Sequence, residues 1–245
     1  MIRTIGIAGY KKSGKTKMVE KIVEKLKKQD YRVGTVKHVP QEGFTLDQPN
    51  TDSWRHAQAG ADEIVSISPD EVATIEKRSN AELGEVLLGL ENLDFVIIEG
   101  FRESEIVPKI MVACDIEEAS KLDDEFTVGF VGSGVEDKPV FTDDDVDSIV
   151  NLIKEKAISP VDNLDCGECG YDSCRDFILA TIEGDAPVDG CLALGGSVSL
   201  HIDGKRVPLK SFVKDFIANS VSGMISSLKR SEGKKIVLEV NRDEG

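Results

Sequence analysis

Gly9-Tyr10-Lys11-Lys12-Ser13-Gly14-Lys15-Thr16 fits G-x-x-x-x-G-K-[ST], the loop that wraps nucleotide phosphates. Before it, Ile5, Ile7 and Ala8 read as a short buried strand. After it, Met18, Val19, Ile22, Val23 and Leu26 recur at helical spacing. Strand, loop and helix are the setting this motif needs. Its glycines let the backbone approach an anion closely, and N–H groups at a helix start point at that anion. In that setting Lys15 would neutralise the β- and γ-phosphates, and the Thr16 hydroxyl would ligate Mg²⁺. The whole segment from Gly9 through Tyr10, Lys11, Lys12, Ser13 and Gly14 to Lys15 and Thr16 is therefore the expected phosphate cradle.

Working outward, residues 1–155 alternate strand-like and helix-like runs. Strands are expected over 2–8, 31–37, 63–68, 71–76, 94–99, 107–113 and 126–131. Helices are expected over 15–29, 52–59, 80–91 and 142–157, the last opening on Thr142 and Asp145, a near capping box. Alternation of this kind predicts an α/β fold, a P-loop nucleoside-triphosphatase with a mostly parallel sheet and ligands at the carboxyl ends of its strands. Ser159-Pro160 and the polar stretch from Asp162 to Asp165 then read as a linker. Beyond it lie a cysteine cluster, an alternating strand pair around an Asp203-Gly204 turn, a helix from about Leu209 to Lys229, and a closing strand over Ile236 to Val240. The domains expected are 1–158 for the nucleotide-binding unit, 164–195 for the cysteine segment and 196–245 for a C-terminal hairpin, helix and strand, so that the second part is a small α+β module.

Composition narrows the function classes. The 245 residues, 40% hydrophobic, can build one medium domain and a smaller one. No apolar run approaches the ~20 residues of a membrane span, and a strand running straight into a phosphate loop does not read as a signal peptide. A cytoplasmic protein is expected. The formal charge of −15 argues against general nucleic-acid binding. Residues 1–40 depart from that balance, with 11 Lys+Arg against 3 Asp+Glu. A basic phosphate-binding end on an acidic body suits a small anionic ligand, although Lys21, Lys25 and Lys28 also read as one solvated helix face.

Other polar residues gather at predicted strand and helix ends. The apolar run Phe95-Val96-Ile97-Ile98 ends in Glu99, where such folds bring an acidic residue beside the phosphate loop. There it binds Mg²⁺ directly or through water, or orients an attacking water. Asp47 is the second candidate carboxylate for that work, and Lys15, Asp47 and Glu99 form the expected catalytic set. Lys37-His38 ends the second strand run, and Asp52 and His56 share one helical face four residues apart. Lys37, His38, Arg55 and His56 are the candidates for a second anion. Each histidine reads equally well as a hydrogen-bonded structural group, and Trp54 as packing.

Four of the five cysteines fall within 26 residues as Cys166-x2-Cys169-x4-Cys174-x16-Cys191. In a chain with no export signal such a cluster points to metal before disulfide. Three ligands close together and one distant suit an iron–sulfur cluster, since four-cysteine zinc sites favour two C-x2-C pairs. Zinc and inert thiols stay open. Cys114 follows Ile110, Met111, Val112 and Ala113 in an apolar run and reads as a small core residue.

On these residues the first 155 positions resemble the MobB family, accessory proteins of molybdopterin-guanine dinucleotide biosynthesis. The resemblance is carried by Gly9 to Thr16, Val33-Gly34-Thr35-Val36-Lys37-His38, Asp47, and Thr51-Asp52-Ser53-Trp54-Arg55-His56 with Ala59-Gly60-Ala61. It continues through Asp94-Phe95-Val96-Ile97-Ile98-Glu99-Gly100-Phe101 and Pro108-Lys109. The family usually places a second histidine shortly after the position of His38, where this chain has Gln41-Glu42. The resemblance implies GTP binding with Mg²⁺, slow hydrolysis at most, and assistance to a partner guanylyltransferase. It also implies contact with molybdopterin or its phosphate, and a homodimer. Guanine preference is not otherwise legible: no N-K-x-D motif is present, and Glu136-Asp137-Lys138-Pro139 is not one.

The cysteine segment, with Phe177, Ala180 and Gly184, resembles the small four-iron four-sulfur (4Fe-4S) domain of the corrinoid iron–sulfur protein and of Rnf-type subunits. That implies Cys166, Cys169, Cys174 and Cys191 as cluster ligands. Three readings follow for the whole chain: a GTP-binding accessory protein with an added cluster, a nucleotide-gated electron-transfer protein, and a metallochaperone using nucleotide as a switch. The Lys37-His38 and Asp52 to His56 blocks favour the first.

Overall fold

The computed structural model describes residues 2–161, 163–193, 198–202, 205–207, 209–228, 233, 236–238 and 240. Six strands form one parallel sheet: β1 (Arg3–Ala8), β2 (Val33–Lys37), β5 (Phe95–Glu99), β6 (Lys109–Ala113), β7 (Thr127–Gly132) and β8 (Val140–Phe141), in the order β2-β5-β1-β6-β7-β8. The near-continuous apolar runs of β1 and β5 are what a sheet covered on both faces requires. Alternate residues divide between the two faces. Ile5, Ile7 and Ile97 pack under Met18, Ile22 and Leu26 of α1 (Lys15–Lys27) and Ile149 and Ile153 of α5 (Val146–Lys156). On the other face Val96 and Ile98 meet Leu83 and Leu87 of α3 (Leu83–Gly89), while Met111 and Phe130 meet Ala119 and Leu122 of α4 (Ile116–Leu122). The result is the expected P-loop α/β architecture.

Several elements differ from the sequence expectation. The runs at 63–68 and 71–76 form β3 (Glu63–Ile67) and β4 (Val72–Glu76), an antiparallel hairpin outside the main sheet whose Ile67 and Val72 are exposed. It packs beside α2 (Asp52–Gln58), where Lys77 Nζ donates to the Ala57 carbonyl. The helix expected from 142 begins only at Val146, because the Asp145 carboxylate turns back to accept from the Thr142 N–H at 2.8 Å and its hydroxyl at 2.7 Å. Lys21 and Lys25 are not a merely solvated face: they pair with Asp143, Asp144 and Asp147 and tie α1 to the start of α5.

The expected linker begins buried, although Asn163 and Asp165 further along it are exposed. Ser159, Pro160 and Val161 are buried, and the Ser159 N–H donates to the Val188 carbonyl at 3.0 Å. Ile158 and Val161 join Phe126, just before β7, and Phe177 and Ile178 from α6 (Cys174–Glu183) in one apolar cluster. After α6 come β9 (Leu200–Ile202) and β10 (Lys205–Val207), antiparallel, then α7 (Ser211–Ser226). The Asp203-Gly204 turn and Lys229 lie outside the described residues. Ile236, Val237, Leu238 and Val240 are exposed and form no strand.

Candidate functional site

The phosphate loop joins β1 to α1 as its sequence predicts. At Gly9 φ is +148°, and a Cβ there would sit 2.4 Å from the Val112 carbonyl oxygen, so no larger residue fits. Gly14 is the N-cap of α1 in the left-handed region, with no side chain capping the first helical N–H groups, which leaves them directed at the loop. Lys15 Nζ lies back across the loop, donating to the Tyr10 carbonyl at 2.5 Å and approaching Ser13 Oγ at 3.4 Å. Burial holds the Lys15 ammonium below its usual range, against the upward pull of Glu99 and Glu118. Tyr10 carries the Arg102 guanidinium over its ring at 5.0 Å, while Lys11 and Lys12 are exposed.

Three polar residues converge beside this loop. Thr16 Oγ1 donates to Glu99 Oε1 at 2.7 Å, and Lys37 Nζ stands 3.1 Å from the same oxygen. Parallel pairing of β2 with β5 sets Lys37 opposite Glu99, and pairing of β1 with β5 sets Ile7 opposite Glu99. Three strand ends therefore fix the carboxylate against the first turn of α1. The next residues extend this edge: the His38 N–H donates to the Glu99 carbonyl at 2.9 Å, and its ring stacks on Phe101 with centroids 4.6 Å apart.

Asp47, Arg55 and His56 stand apart from that group. Asp47 Oδ1 accepts from the Gln48 N–H at 2.9 Å and the Thr51 hydroxyl at 2.7 Å, while Thr51 caps α2. The Ser53 and Thr51 hydroxyls hold the Asp47 carboxyl below its usual range. Its Oδ2 is shielded and has no hydrogen-bond partner among the described residues. Arg55 is exposed and lies 3.9 Å from Asp52, and His56 is exposed on the same helix. Among the described residues no hydrogen bond or ion pair joins α2 to the phosphate loop. Trp54 is half-buried, in keeping with packing.

Two groups escaped the sequence reading as site material. Lys109, 1% exposed, donates to the Arg102 and Ser104 carbonyls at 2.8 and 2.9 Å and pairs with Asp124 at 2.5 Å, which pins the loop after Glu99. Its signal was a lysine opening an apolar strand, a charge that needs a buried partner. Cys114 is exposed, not core. The strand stops at Ala113, and the Cys114 N–H donates to a carboxylate oxygen of Glu118 at 2.5 Å, beyond the sheet. Glu118 beside it pushes its thiol up.

The second centre lies in the cysteine segment. Cys166, Cys169, Cys174 and Cys191 all line one hollow, with Leu164 and Tyr171. Cys166 and Cys169 are half-buried; Cys174 and Cys191 are buried. Gly167, at φ +72°, supplies the left-handed turn between the first two cysteines. The Cys174 N–H donates to Asp165 Oδ1 at 2.6 Å, and burial pushes its thiol up. Among the described residues no three His, Cys, Asp or Glu converge on one ion position; the four thiols stand around a shared space instead. A wholly thiol donor set in an apolar hollow fits a thiolate-held cluster. Glu168, between the first two cysteines, accepts from the Ser211 N–H at 2.9 and 3.0 Å, and buried Lys214 donates to the Ala193 carbonyl. α7 thus grips both ends of the segment.

A family model described as "Molybdopterin guanine dinucleotide synthesis protein B" (MobB) matches residues 4–131, just over half of the chain. The chain belongs to the MobB family. A further model, described as "Putative Fe-S cluster", matches residues 162–193. The chain is 34% identical over 239 residues to a Methanocaldococcus jannaschii protein named "Putative molybdopterin-guanine dinucleotide biosynthesis adapter protein", with 96% of each chain covered. It is 31% identical over 114 residues to the molybdopterin-guanine dinucleotide biosynthesis adapter protein of Haemophilus influenzae, 45% of this chain and 63% of that one. The crystal structure of Bacillus subtilis MobB superposes with a TM-score of 0.53 at 25% identity, covering 61% of this chain and 97% of that one. The MobB match thus takes in the phosphate loop, Lys37-His38, α2 and Glu99, and the second match takes in all four clustered cysteines.

Proposed function

We propose that this protein is a GTP-binding adapter in molybdopterin-guanine dinucleotide biosynthesis, working with a molybdopterin guanylyltransferase and carrying a 4Fe-4S cluster in its C-terminal module. The observation that carries the reading is the meeting of Thr16, Glu99 and Lys37 at the phosphate loop. Gly9 to Thr16 cradle the phosphates, with Lys15 on the β- and γ-phosphates. Thr16 and Glu99 would hold Mg²⁺, whose hard charge suits a hydroxyl and a carboxylate. Lys37 holds that carboxylate in place. Arg102, over the Tyr10 ring, is ion-paired with Glu103, so turnover by the chain alone is slow.

Asp47 organises the start of α2, and its unbonded Oδ2 is the oxygen available for a metal contact. Lys37 on one edge and Arg55 on α2 offer cations, and His38 and His56 ring nitrogens, to a pterin phosphate or to the partner. Cys166, Cys169, Cys174 and Cys191 ligate the cluster. Family membership and the names of the relatives support the pathway; the three-plus-one spacing of the cysteines and the match to a model described as "Putative Fe-S cluster" support iron. The test is anaerobic purification with metal and sulfide analysis, followed by calorimetry with GTP and ATP and an assay of a guanylyltransferase with and without this protein. GTP bound more tightly than ATP, with stimulation of the transferase, is expected. Equal affinities and no stimulation would turn the reading toward a redox or chaperone role.

A further inference from the structure

A cleft of about 530 Å³ opens beside the phosphate loop on the side away from Glu99. Val112, Ala113 and Val131 at the ends of β6 and β7 form its base. Ser13 and Lys17 bound it on the loop side, and Asp143, between β8 and α5, bounds it on the other. Its size lies within the ~300–1,000 Å³ of small-molecule sites. It also stands at the carboxyl ends of parallel strands, where sheets of this class take ligands. On the opposite side of the loop the space is taken by Thr16, Glu99 and Lys37 and by the stacked His38 and Phe101.

We propose that this cleft holds the nucleoside half of the bound nucleotide, and that Asp143, steadied by Lys17 and Lys21, selects guanine over adenine. This rests on the nucleotide reading of the phosphate loop. Ser13 and Lys17 belong both to the loop region and to the cleft wall, so a nucleotide with its phosphates along residues 9–16 runs directly into it. Val112, Ala113 and Val131 offer apolar surface to the faces of a base. Asp143 Oδ2 lies 3.2 Å from Lys17 Nζ and 3.3 Å from Lys21 Nζ. An ionised carboxylate only accepts and an ammonium only donates. Guanine presents N1–H and N2–H₂ donors beside its O6 acceptor, which complements a carboxylate flanked by lysine. Adenine has one donor on that edge, N6–H₂, beside an N1 acceptor, so it makes at most one bond to the carboxylate where guanine makes two. These lysines hold the Asp143 carboxyl below its usual range, so it is ionised at neutral pH.

Cys114 lines the same cleft at the end of β6 and is exposed. It serves as a reporter. The full chain is treated with iodoacetamide in the presence of Mg²⁺ with GTP, with tripolyphosphate or with neither, and modification of the Cys114 peptide is followed by mass spectrometry. Calorimetry measures binding of each compound in parallel. GTP is expected to slow Cys114 alkylation about ten-fold or more, while tripolyphosphate, which occupies the loop without filling the cleft, changes the rate less than about two-fold. Asp143→Asn should keep its affinity for tripolyphosphate and lose about 10- to 100-fold for GTP, the scale of charged hydrogen bonds, and with it the preference over ATP. GTP that binds without shielding Cys114, or an Asp143→Asn chain with an unchanged GTP-to-ATP ratio, overturns the placement alone. If neither GTP nor tripolyphosphate binds, the phosphate-loop reading falls and this proposal with it.

Discussion

At the scale of single residues, Lys15 and Lys109 show how the same side chain serves opposite ends. Lys15 Nζ touches only the loop it belongs to, and burial already weighs against its charge. A bound phosphate would relieve that cost, so on the proposed nucleotide reading the lysine would contribute to binding far more than to folding. Lys15→Ala should abolish measurable GTP binding by calorimetry and leave the melting temperature within a few degrees of the parent. Undiminished affinity would sink the phosphate-loop reading. Lys109 is the reverse, a buried cation with three acceptors and no ligand to meet. Lys109→Met strands those acceptors and should cost about 3 kcal/mol of stability, near the low end for breaking a buried pair because Asp124 is partly exposed. Urea unfolding would measure it, and a loss well under 1 kcal/mol would show that the loop after Glu99 is held by other means. Glu99→Gln tests the third contact. It should retain nucleotide without Mg²⁺ but lose most of the affinity gained by adding Mg²⁺, read as the difference between two titrations.

At the scale of elements, what was legible in the sequence is what local spacing encodes. The phosphate loop, α1, β1 and β5 were readable because motif, period and burial coincide within a few residues. The shorter α4, whose buried residues are only Ala119 and Leu122, carries too weak a period to be seen among its charges. β8 is two residues long. The apolar run through Cys114 was read one residue too far, because periodicity does not mark where a strand leaves its sheet. Asp47, Arg55 and His56 could be named as polar candidates, yet their separation from the loop depends on the path of residues 38–51, which no local pattern fixes. The grip of α7 was also invisible, since Glu168 and Ser211 are 43 residues apart. That grip has a measurable consequence. The Glu168 carboxylate caps an uncapped helix start whose positive end favours an anion. Glu168→Ala should therefore loosen α7 by about 0.5–2 kcal/mol and speed iron release to a chelator. Unchanged release would confine Glu168 to a local turn.

At the scale of the whole molecule, the two centres sit on one continuous apolar interior. Phe126 precedes β7, and Ile158 follows α5 and bridges to Thr4 of β1; both belong to the cluster that includes Cys174, Phe177 and Cys191. Ile182 of α6 packs against that cluster and against the main core as well. Arg175 lies over the Phe126 ring and pairs with Glu105 and Glu125, adding a polar seam at the same junction. A cluster held by four thiolates contributes folding energy to the small segment that holds it. Through the shared interior, its loss should spread toward Phe126 and Ile158 sooner than toward Gly9 to Thr16, which lie at the far side of β1. The expectation is that Cys174→Ser releases iron and raises amide exchange across 156–193 and near Phe126, while GTP affinity changes less than about three-fold, under 1 kcal/mol. Parent protein should carry about four irons and four sulfides per chain, with Cys114→Ser carrying as many. Stoichiometric zinc without acid-labile sulfide would refute the cluster. A Cys174→Ser chain that loses iron and GTP binding together would show instead that the apolar interior couples the centres, so that the state of one is felt at the other.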